Sequence, residues 1–253
     1  MTVDLWLAAF LAFCRIGSFL FFLPIFSGRA IPVIAKTTFG MALAFSVADQ
    51  IDVAKLTTLP AILAYVVTQL VIGISLAKIV EFLFVVPKMA GHILDMDLGI
   101  SQATLFDINT SPQSTILSTI FDIFFVLIFI AMGGLDYLVA TILKSFEYTE
   151  TAAALLQESF IKSVLATLLF AITSAVQIAL PIMGSLFLVN FVLILIGKQT
   201  PQLNIFMNAF VVKITFGIFL VGASVPMFSY VFKNLTNTLL DEYTNLFNFF
   251  LTK

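Results

Sequence analysis

Charged side chains inside long apolar runs are the residues of this sequence with the clearest chemical meaning. Arg15, Asp122 and Lys213 each stand within such a run. A charge at the centre of a membrane helix costs about 2.5–3.5 kcal/mol on insertion scales, so each needs a compensating role. One interpretation is a conduction path, a proton relay or a specific interhelical ion pair. The other is that each charge pairs with a neighbouring chain or reaches the membrane interface.

Other chemically active residues do not assemble into a site. His92 is the single histidine, and Asp95 and Asp97 follow it, but a metal would need more ligands. Cys14, the one cysteine, cannot form an intrachain disulfide. The sequence contains no nucleophile elbow, phosphate-binding loop or H-E-x-x-H motif. We therefore expect no catalytic, metal-binding or cofactor-binding residues, and no cofactor.

Composition decides the class of protein. Hydrophobic residues make up 61% of the 253 positions and charged residues only 10%, against about 25% charged in soluble domains. The mean hydropathy is +1.13. The apolar runs are continuous, as in 123–132 and 185–196, whereas a membrane barrel would alternate. With 12 Lys and Arg against 14 Asp and Glu, and no basic run, the sequence argues against nucleic-acid binding.

The charges must therefore be positioned by membrane helices. We predict an all-α, polytopic membrane protein with one domain over residues 1–253 and about six apolar helices, several of them kinked. The first run is expected to stay in the protein as a helix, since it lacks the features of a cleaved signal peptide. The third run is expected to end at Pro87, and the fourth is interrupted at Gly133 and Gly134. The expected spans are approximately 5–24, 33–47, 61–86, 116–143, a fifth run that meets Pro181 and resumes over 182–197, and 205–225.

Two polar segments interrupt this pattern. The stretch 88–115 is the least hydrophobic; its first part has helical spacing, and it becomes turn-like over 107–112. The second segment opens at Pro201, which suits a first helical turn because its missing N–H is not needed there. Gln202 and Asn204 can satisfy backbone groups freed at the break. We therefore predict a structural hinge over 201–204 between two packed helices.

The second segment also carries a family motif. The motif follows an apolar helix that contains Asn190, and it reads Pro201, Gln202, Leu203, Asn204, Ile205, Phe206. Its residues, and the length and hydropathy of the whole chain, resemble the FliR family of the flagellar export gate and its injectisome counterpart, SctT. Further agreement comes from the N-terminal residues Arg15, Ile16 and Gly17, from Pro24, Ile25 and Phe26, and from Gly91 and Gly99 before the polar loop.

The resemblance implies a helical-hairpin export-gate architecture and a non-enzymatic function. A FliR-like subunit joins FliP-like and FliQ-like subunits, with FlhB-like and FlhA-like components nearby, around a channel for secreted flagellar proteins. It would lie as a multi-pass protein in the bacterial inner membrane, within the flagellar basal body. Such a chain is not expected to be stable alone. The resemblance also implies that a loop plugs the closed channel, and the matching residues are Phe106, Asp107, Ile108, Asn109, Thr110, Ser111, Pro112, Gln113 and Ser114.

Alternatives remain open at this point. The segment 106–114 is equally well explained, from its turn residues alone, as a solvated connector. The injectisome counterpart shares the motif of the flagellar protein. A secondary transporter also uses broken helices around intramembrane charges, although we find no internal symmetry between the halves. An assembly factor without a conduction role is the third possibility. The overall pattern favours the flagellar export gate.

Overall fold

The computed structural model describes residues 2–27, 31–56, 58–100, 116–148, 158–199 and 205–251. Those residues form helices, short turns and no strand, which confirms the predicted all-α class. Two short 3₁₀ turns lie at Ala48–Gln50 and Val53–Lys55. The α-helices in the described ranges are α1 (Thr2–Phe22), α2 (Pro24–Ser27), α3 (Val33–Ser46), α4 (Leu59–Leu98), α5 (Ile116–Ala131), α6 (Gly134–Tyr148), α7 (Glu158–Gln199), α8 (Ile205–Ala223) and α9 (Val225–Leu251).

Three of these helices, α1, α4 and α7, are each long and apolar enough to cross a membrane alone. Two bent pairs, α5 with α6 and α8 with α9, pass the same test together and raise the number to five among the described residues. The difference from the expected six is α3. Its 14 residues reach about 21 Å at 1.5 Å per residue, which is short of a hydrocarbon core of about 30 Å.

Proline does not end either long helix. The sequence predicted that the third span ends at Pro87; this was wrong, because α4 continues through Pro87 to Leu98. Pro181 likewise lies inside α7. Proline removes one backbone hydrogen bond, but neighbouring groups in a membrane bundle can restore the loss. The missing N–H of Pro181 leaves the Gln177 carbonyl without its helical donor, and the Ser185 hydroxyl donates a separate hydrogen bond of 3.0 Å to the Pro181 carbonyl oxygen.

Glycine interrupts the helix at the position where the sequence predicted a break. Gly133 has φ +76, a left-handed conformation that other residues rarely adopt. The helices on either side, α5 and α6, meet at 69°. A second bend of 57° separates α8 from α9 at Ser224. Both bends confirm that the apolar spans are kinked.

The chain divides into two compact units. The first unit comprises residues 1–83, 133–168 and 236–253, and the second comprises 84–132 and 169–235. In the first unit α1 packs on α3, with Trp6 and Phe45 meeting edge to face at 5.1 Å. Close packing continues at Gly73, where a Cβ would stand 2.3 Å from the Arg15 carbonyl oxygen. Only glycine allows α1 and α4 to approach this closely.

The second unit has an aromatic core. Its members are fully buried phenylalanines from α4, α5 and α9, and their ring centres lie 4.6–6.3 Å apart. Aromatic pairs at such distances contribute about 0.5–1.5 kcal/mol each beyond the burial of their area. The core therefore holds the helices of this unit in a fixed arrangement. Its residues are Phe84, Phe121, Phe125, Phe129, Phe228 and Phe232.

Candidate functional site

The two polar segments that the sequence singled out lie outside the described residues. These are the nine residues of the expected plug, Phe106 to Ser114, and the first four residues of the motif, Pro201 to Asn204. Ile205 and Phe206, the last two motif residues, form the first turn of α8. The described part of the candidate site consists of the helices on either side of these segments and of the three charges.

The end of α4 and the start of α5 flank the expected plug, and they form an antiparallel pair. Phe84 of α4 contacts Phe125 and Phe129 of α5, whereas Asp95, later in α4, contacts the start of α5. Later residues of α4 therefore contact earlier residues of α5, as in an antiparallel pair. Gly91 lies at the crossing, where a Cβ would come within 2.5 Å of the Ser118 Cα. The two backbones touch there, and only glycine permits it.

Asp95 joins these two helices by a hydrogen-bonded cap. Its Oδ2 accepts hydrogen bonds from the backbone N–H groups of Leu117, at 3.0 Å, and Ser118, at 3.2 Å. These N–H groups belong to the first turn of α5, where no intrahelical acceptor exists. A carboxylate there also interacts favourably with the helix dipole. Because Asp95 is fully buried, water cannot replace it, and the cap fixes both ends of the intervening segment.

Asp122 and Lys213 have partners in the same unit. Lys88 Nζ lies 3.3 Å from Asp122 Oδ2, which adds a second link between α4 and α5. Lys213 Nζ lies 3.3 Å from Asp97 Oδ1, which ties α8 to the end of α4. All four side chains are part-exposed, at 20–45%. Of the interpretations that the sequence left open, both contacts match an interhelical ion pair within the chain.

Arg15 is held in the first unit by a different set of groups. Its Nε donates to Gln69 Oε1 at 2.6 Å, and Nη1 donates to the Ser145 carbonyl at 2.8 Å and hydroxyl at 3.0 Å. The guanidinium also lies 4.1 Å from the centre of the Phe146 ring. Arg15 is 1% exposed and Gln69 is fully buried. We call these four residues the Arg15 cluster; it joins α1, α4 and α6.

These arrangements position helices; they do not resemble a catalytic centre. Across the described part of the chain, no three His, Cys, Asp or Glu side chains come together as a metal site would require. His92 is exposed on α4 while Asp95, three residues later, is buried in its cap. In the sequence, Asp95 stands out only as a candidate metal ligand beside His92, and no local pattern indicates its capping role. Gln69 and Ser145 were missed as well, because they lie 54 and 130 residues from Arg15.

Comparison with known proteins gives a consistent picture. The model of the family "Bacterial export proteins, family 1" matches residues 6–239. The chain is 27% identical to the flagellar biosynthetic protein FliR of Escherichia coli (strain K12) over 230 residues, which cover 88% of this chain and 87% of that protein. The Bacillus subtilis (strain 168) protein of the same name is 25% identical over 250 residues, 96% of each chain. That of Pectobacterium carotovorum subsp. carotovorum is 27% identical over 252 residues, 95% of each.

Proposed function

Because the chain belongs to the family of bacterial export proteins, family 1, we propose that it helps to form and to close a channel of the flagellar type III export gate. It is a helical membrane protein and a subunit of the flagellar export apparatus. The observation that carries this function is the family match over 6–239, together with relatives that match over 87–96% of their length and are named as flagellar. No observation favours an injectisome subunit, a transporter or an assembly factor.

The partners and the membrane are the finer part of the proposal. We place the chain in the bacterial inner membrane with FliP-like and FliQ-like subunits, and with FlhB-like and FlhA-like components close by. Support comes from α7, where only 22% of the most apolar window is buried within the chain, compared with 56% in α1 and α4. Apolar surface on this scale exceeds what isolated surface residues account for, and it suits contact with other membrane subunits or lipid. The role is structural, without catalysis or a cofactor.

Closure of the channel is assigned to the segment 106–114. The support lies in the helices that flank it: the Asp95 cap, the Gly91 crossing and the Lys88–Asp122 pair hold α4 and α5 together. A segment held on a rigid base can block a conduit and leave it again without repacking of the helices. The motif residues 201–204 are proposed as a hinge. Replacing Asn204 with Leu should then reduce assembly of the complex more than membrane insertion.

The export function is tested by removing the gene and measuring secreted flagellar proteins and motility. We expect both to be lost, and both to return when the chain is supplied in trans. Export of flagellar proteins at the normal level in the deleted strain, with loss of an injectisome substrate or of solute uptake, would contradict the proposal. Copurification with small apolar membrane proteins then tests the proposed partners.

Channel closure is tested by deleting residues 109–113. We expect the complex to assemble and secretion to persist, while ions and small solutes leak across the membrane, measured as conductance or salt sensitivity of the cells. The matched control replaces the same five residues with a Gly/Ser sequence of equal length, which keeps the connection but removes its side chains. An assembled deletion complex that is as tight as the unmodified one would eliminate the plug and leave the connector.

A further inference from the structure

The first unit contains a cavity of about 580 Å³, a size typical of sites for small molecules. Its wall is apolar, with Leu20 of α1, Phe39 of α3 and Val139 and Leu143 of α6 among the lining residues. Two charged side chains interrupt this wall, Lys36 of α3 and Asp136 of α6. We call it the Lys36 cavity. Neither the family match nor the export function assigns a role to it.

Lys36 is the informative residue of the cavity. It is 9% exposed, so nine-tenths of its surface is covered by protein. Its Nζ lies 6.0 Å from the centre of the Phe21 ring, a weak contact for a cation. Among residues placed by the structure, no carboxylate or carbonyl oxygen bonds this ammonium group. A cation in such apolar surroundings needs a counter-charge, and the open space beside it is where one would be received.

The location of the two charges indicates what kind of molecule provides that counter-charge. Lys36 is in the first turn of α3 and Asp136 in the first turn of α6, while Leu20 is in the last turn of α1. The charges therefore lie where these helices begin or end, and Val139 and Leu143 continue the wall one and two turns along α6. A positive and a negative side chain beside an apolar wall match a molecule that carries a phosphate, an ammonium group and an acyl chain.

We propose that the Lys36 cavity binds one phospholipid with an ethanolamine-type headgroup. The phosphate of the lipid pairs with the Lys36 ammonium, and an acyl chain fills the apolar part of the cavity between α1, α3 and α6. The exposed Asp136 carboxylate receives the ammonium of the headgroup and repels purely anionic headgroups. The phosphate then gives Lys36 a direct partner, which it lacks among the described residues. This inference requires only that the protein lies in a membrane, so it does not rest on the export function.

Native mass spectrometry of the complex, extracted from its membrane in mild detergent, tests the phosphate contact. We expect one retained phospholipid per copy of this chain. Lys36→Met should reduce its occupancy about tenfold, since a charge-assisted hydrogen bond in a dry site is lost. Lys144→Met is the matched control, because it removes the same charge from an exposed position on α6. Equal lipid retention in both variants would overturn the proposal.

Two further variants keep the test independent of folding defects caused by losing Lys36. Ala140→Phe fills the cavity without changing charge, and the control Ala131→Phe adds the same ring at an exposed position that does not line it. Only the first should release the lipid while the complex stays assembled. Asp136→Asn should shift the retained lipid from ethanolamine to glycerol headgroups when both are offered in equal amounts. An unchanged preference would refute the headgroup assignment.

A second polypeptide is the other molecule that could occupy the Lys36 cavity, and it must be distinguished from a lipid. A photo-reactive benzoylphenylalanine at Phe39, on the cavity wall, should give an adduct with the mass of a phospholipid. An adduct with a second polypeptide instead, and none with lipid, would show that a protein partner covers the cavity and would refute the lipid.

Discussion

The two units hold their charged side chains in different ways. In the first unit, Arg15 is 1% exposed and its hydrogen bonds go to an amide oxygen, a carbonyl and a hydroxyl. In the second unit, Lys88 pairs with Asp122 and Lys213 with Asp97, and all four side chains remain 20–45% exposed. A buried guanidinium cannot exchange its protein acceptors for water, whereas a part-exposed ion pair can exchange with water at little cost.

The difference suggests a division of labour. The Arg15 cluster is a fixed joint between α1, α4 and α6, because opening it would leave several buried polar groups unsatisfied. The ion pairs of the second unit join α4 to α5 and α4 to α8, and their part-exposed groups can exchange partners with water. The Asp95 cap is intermediate, because it is buried like Arg15 but belongs to the second unit, where it joins α4 to α5. The following changes test this ranking, from the largest expected effect to the smallest.

Replacing Arg15 with Met should have the largest effect. The side chains have similar lengths, but Gln69 and the Ser145 carbonyl would lose their donor in a dry environment, at a cost of about 3–5 kcal/mol. The measurement is thermal unfolding of the complex in detergent, with the level of the chain in membranes. Lys78→Met, which removes a 46% exposed partner of Glu81, is the control and should change little. Equal stability of Arg15→Met and Lys78→Met would contradict the contrast between a buried and a part-exposed cation.

Replacing Gly91 with Ala should be the next most damaging change. The new Cβ would meet the Ser118 Cα at 2.5 Å, and since that atom is backbone, α4 and α5 must separate. Overpacking of this kind costs about 1–3 kcal/mol. Gly184→Ala is the matched control, because a Cβ there meets no atom within 4 Å among the described residues and helix propensity improves. If Gly91→Ala unfolds at the same temperature as Gly184→Ala, then α4 and α5 are packed less closely at Gly91 than the structure shows.

Replacing Asp95 with Asn should cost about 1 kcal/mol, because the amide keeps one acceptor but loses the charge that favours the start of α5. The sharper measurement is hydrogen exchange of the Leu117 and Ser118 backbone N–H groups, which should become faster. Asp97→Asn removes a carboxylate two residues away that does not cap α5, and exchange at Leu117 and Ser118 should not change. Faster exchange in both variants would show that the effect is general loosening.

The smallest effect is expected for the Lys88–Asp122 pair. A double-mutant cycle with Lys88→Met and Asp122→Asn should give a coupling energy of about 0–1 kcal/mol that falls as salt is added, since both groups are part-exposed. Unfolding of the four proteins at two salt concentrations measures it. Coupling above about 2 kcal/mol, independent of salt, would place this pair with Arg15 and remove the contrast between the units.

Much of the fold was accessible from the sequence because hydrophobicity and glycine act locally. The apolar runs predicted α1, α4 and α7, and the Gly133–Gly134 pair predicted the break between α5 and α6. The same reasoning failed at Pro87, where a local helix breaker is overridden by the packing around it. Local rules are reliable when no other element intervenes.

The candidate site was less accessible because its contacts are distant in the chain. The sequence marked Arg15, Asp122 and Lys213 by the cost of placing a charge in an apolar run. It did not indicate their partners, because Gln69 and Ser145 look like ordinary polar residues. The capping role of Asp95 is likewise invisible in the sequence, because it depends on the first turn of α5 packing against this side chain. The close approach at Gly91 also depends on an antiparallel pairing that no local pattern encodes.

The Asp95 cap has a further consequence for how the connection between α4 and α5 can evolve. Because the cap and the Gly91 crossing already bring Leu98 and Ile116 into one packed unit, the closure entropy of the connection depends only on its length. That cost grows as the logarithm of length, about 0.6 kcal/mol for each doubling. Insertions and deletions between α4 and α5 are therefore expected to change the stability of the bundle little, so the length of this connection can vary in evolution while the helices that it joins stay the same.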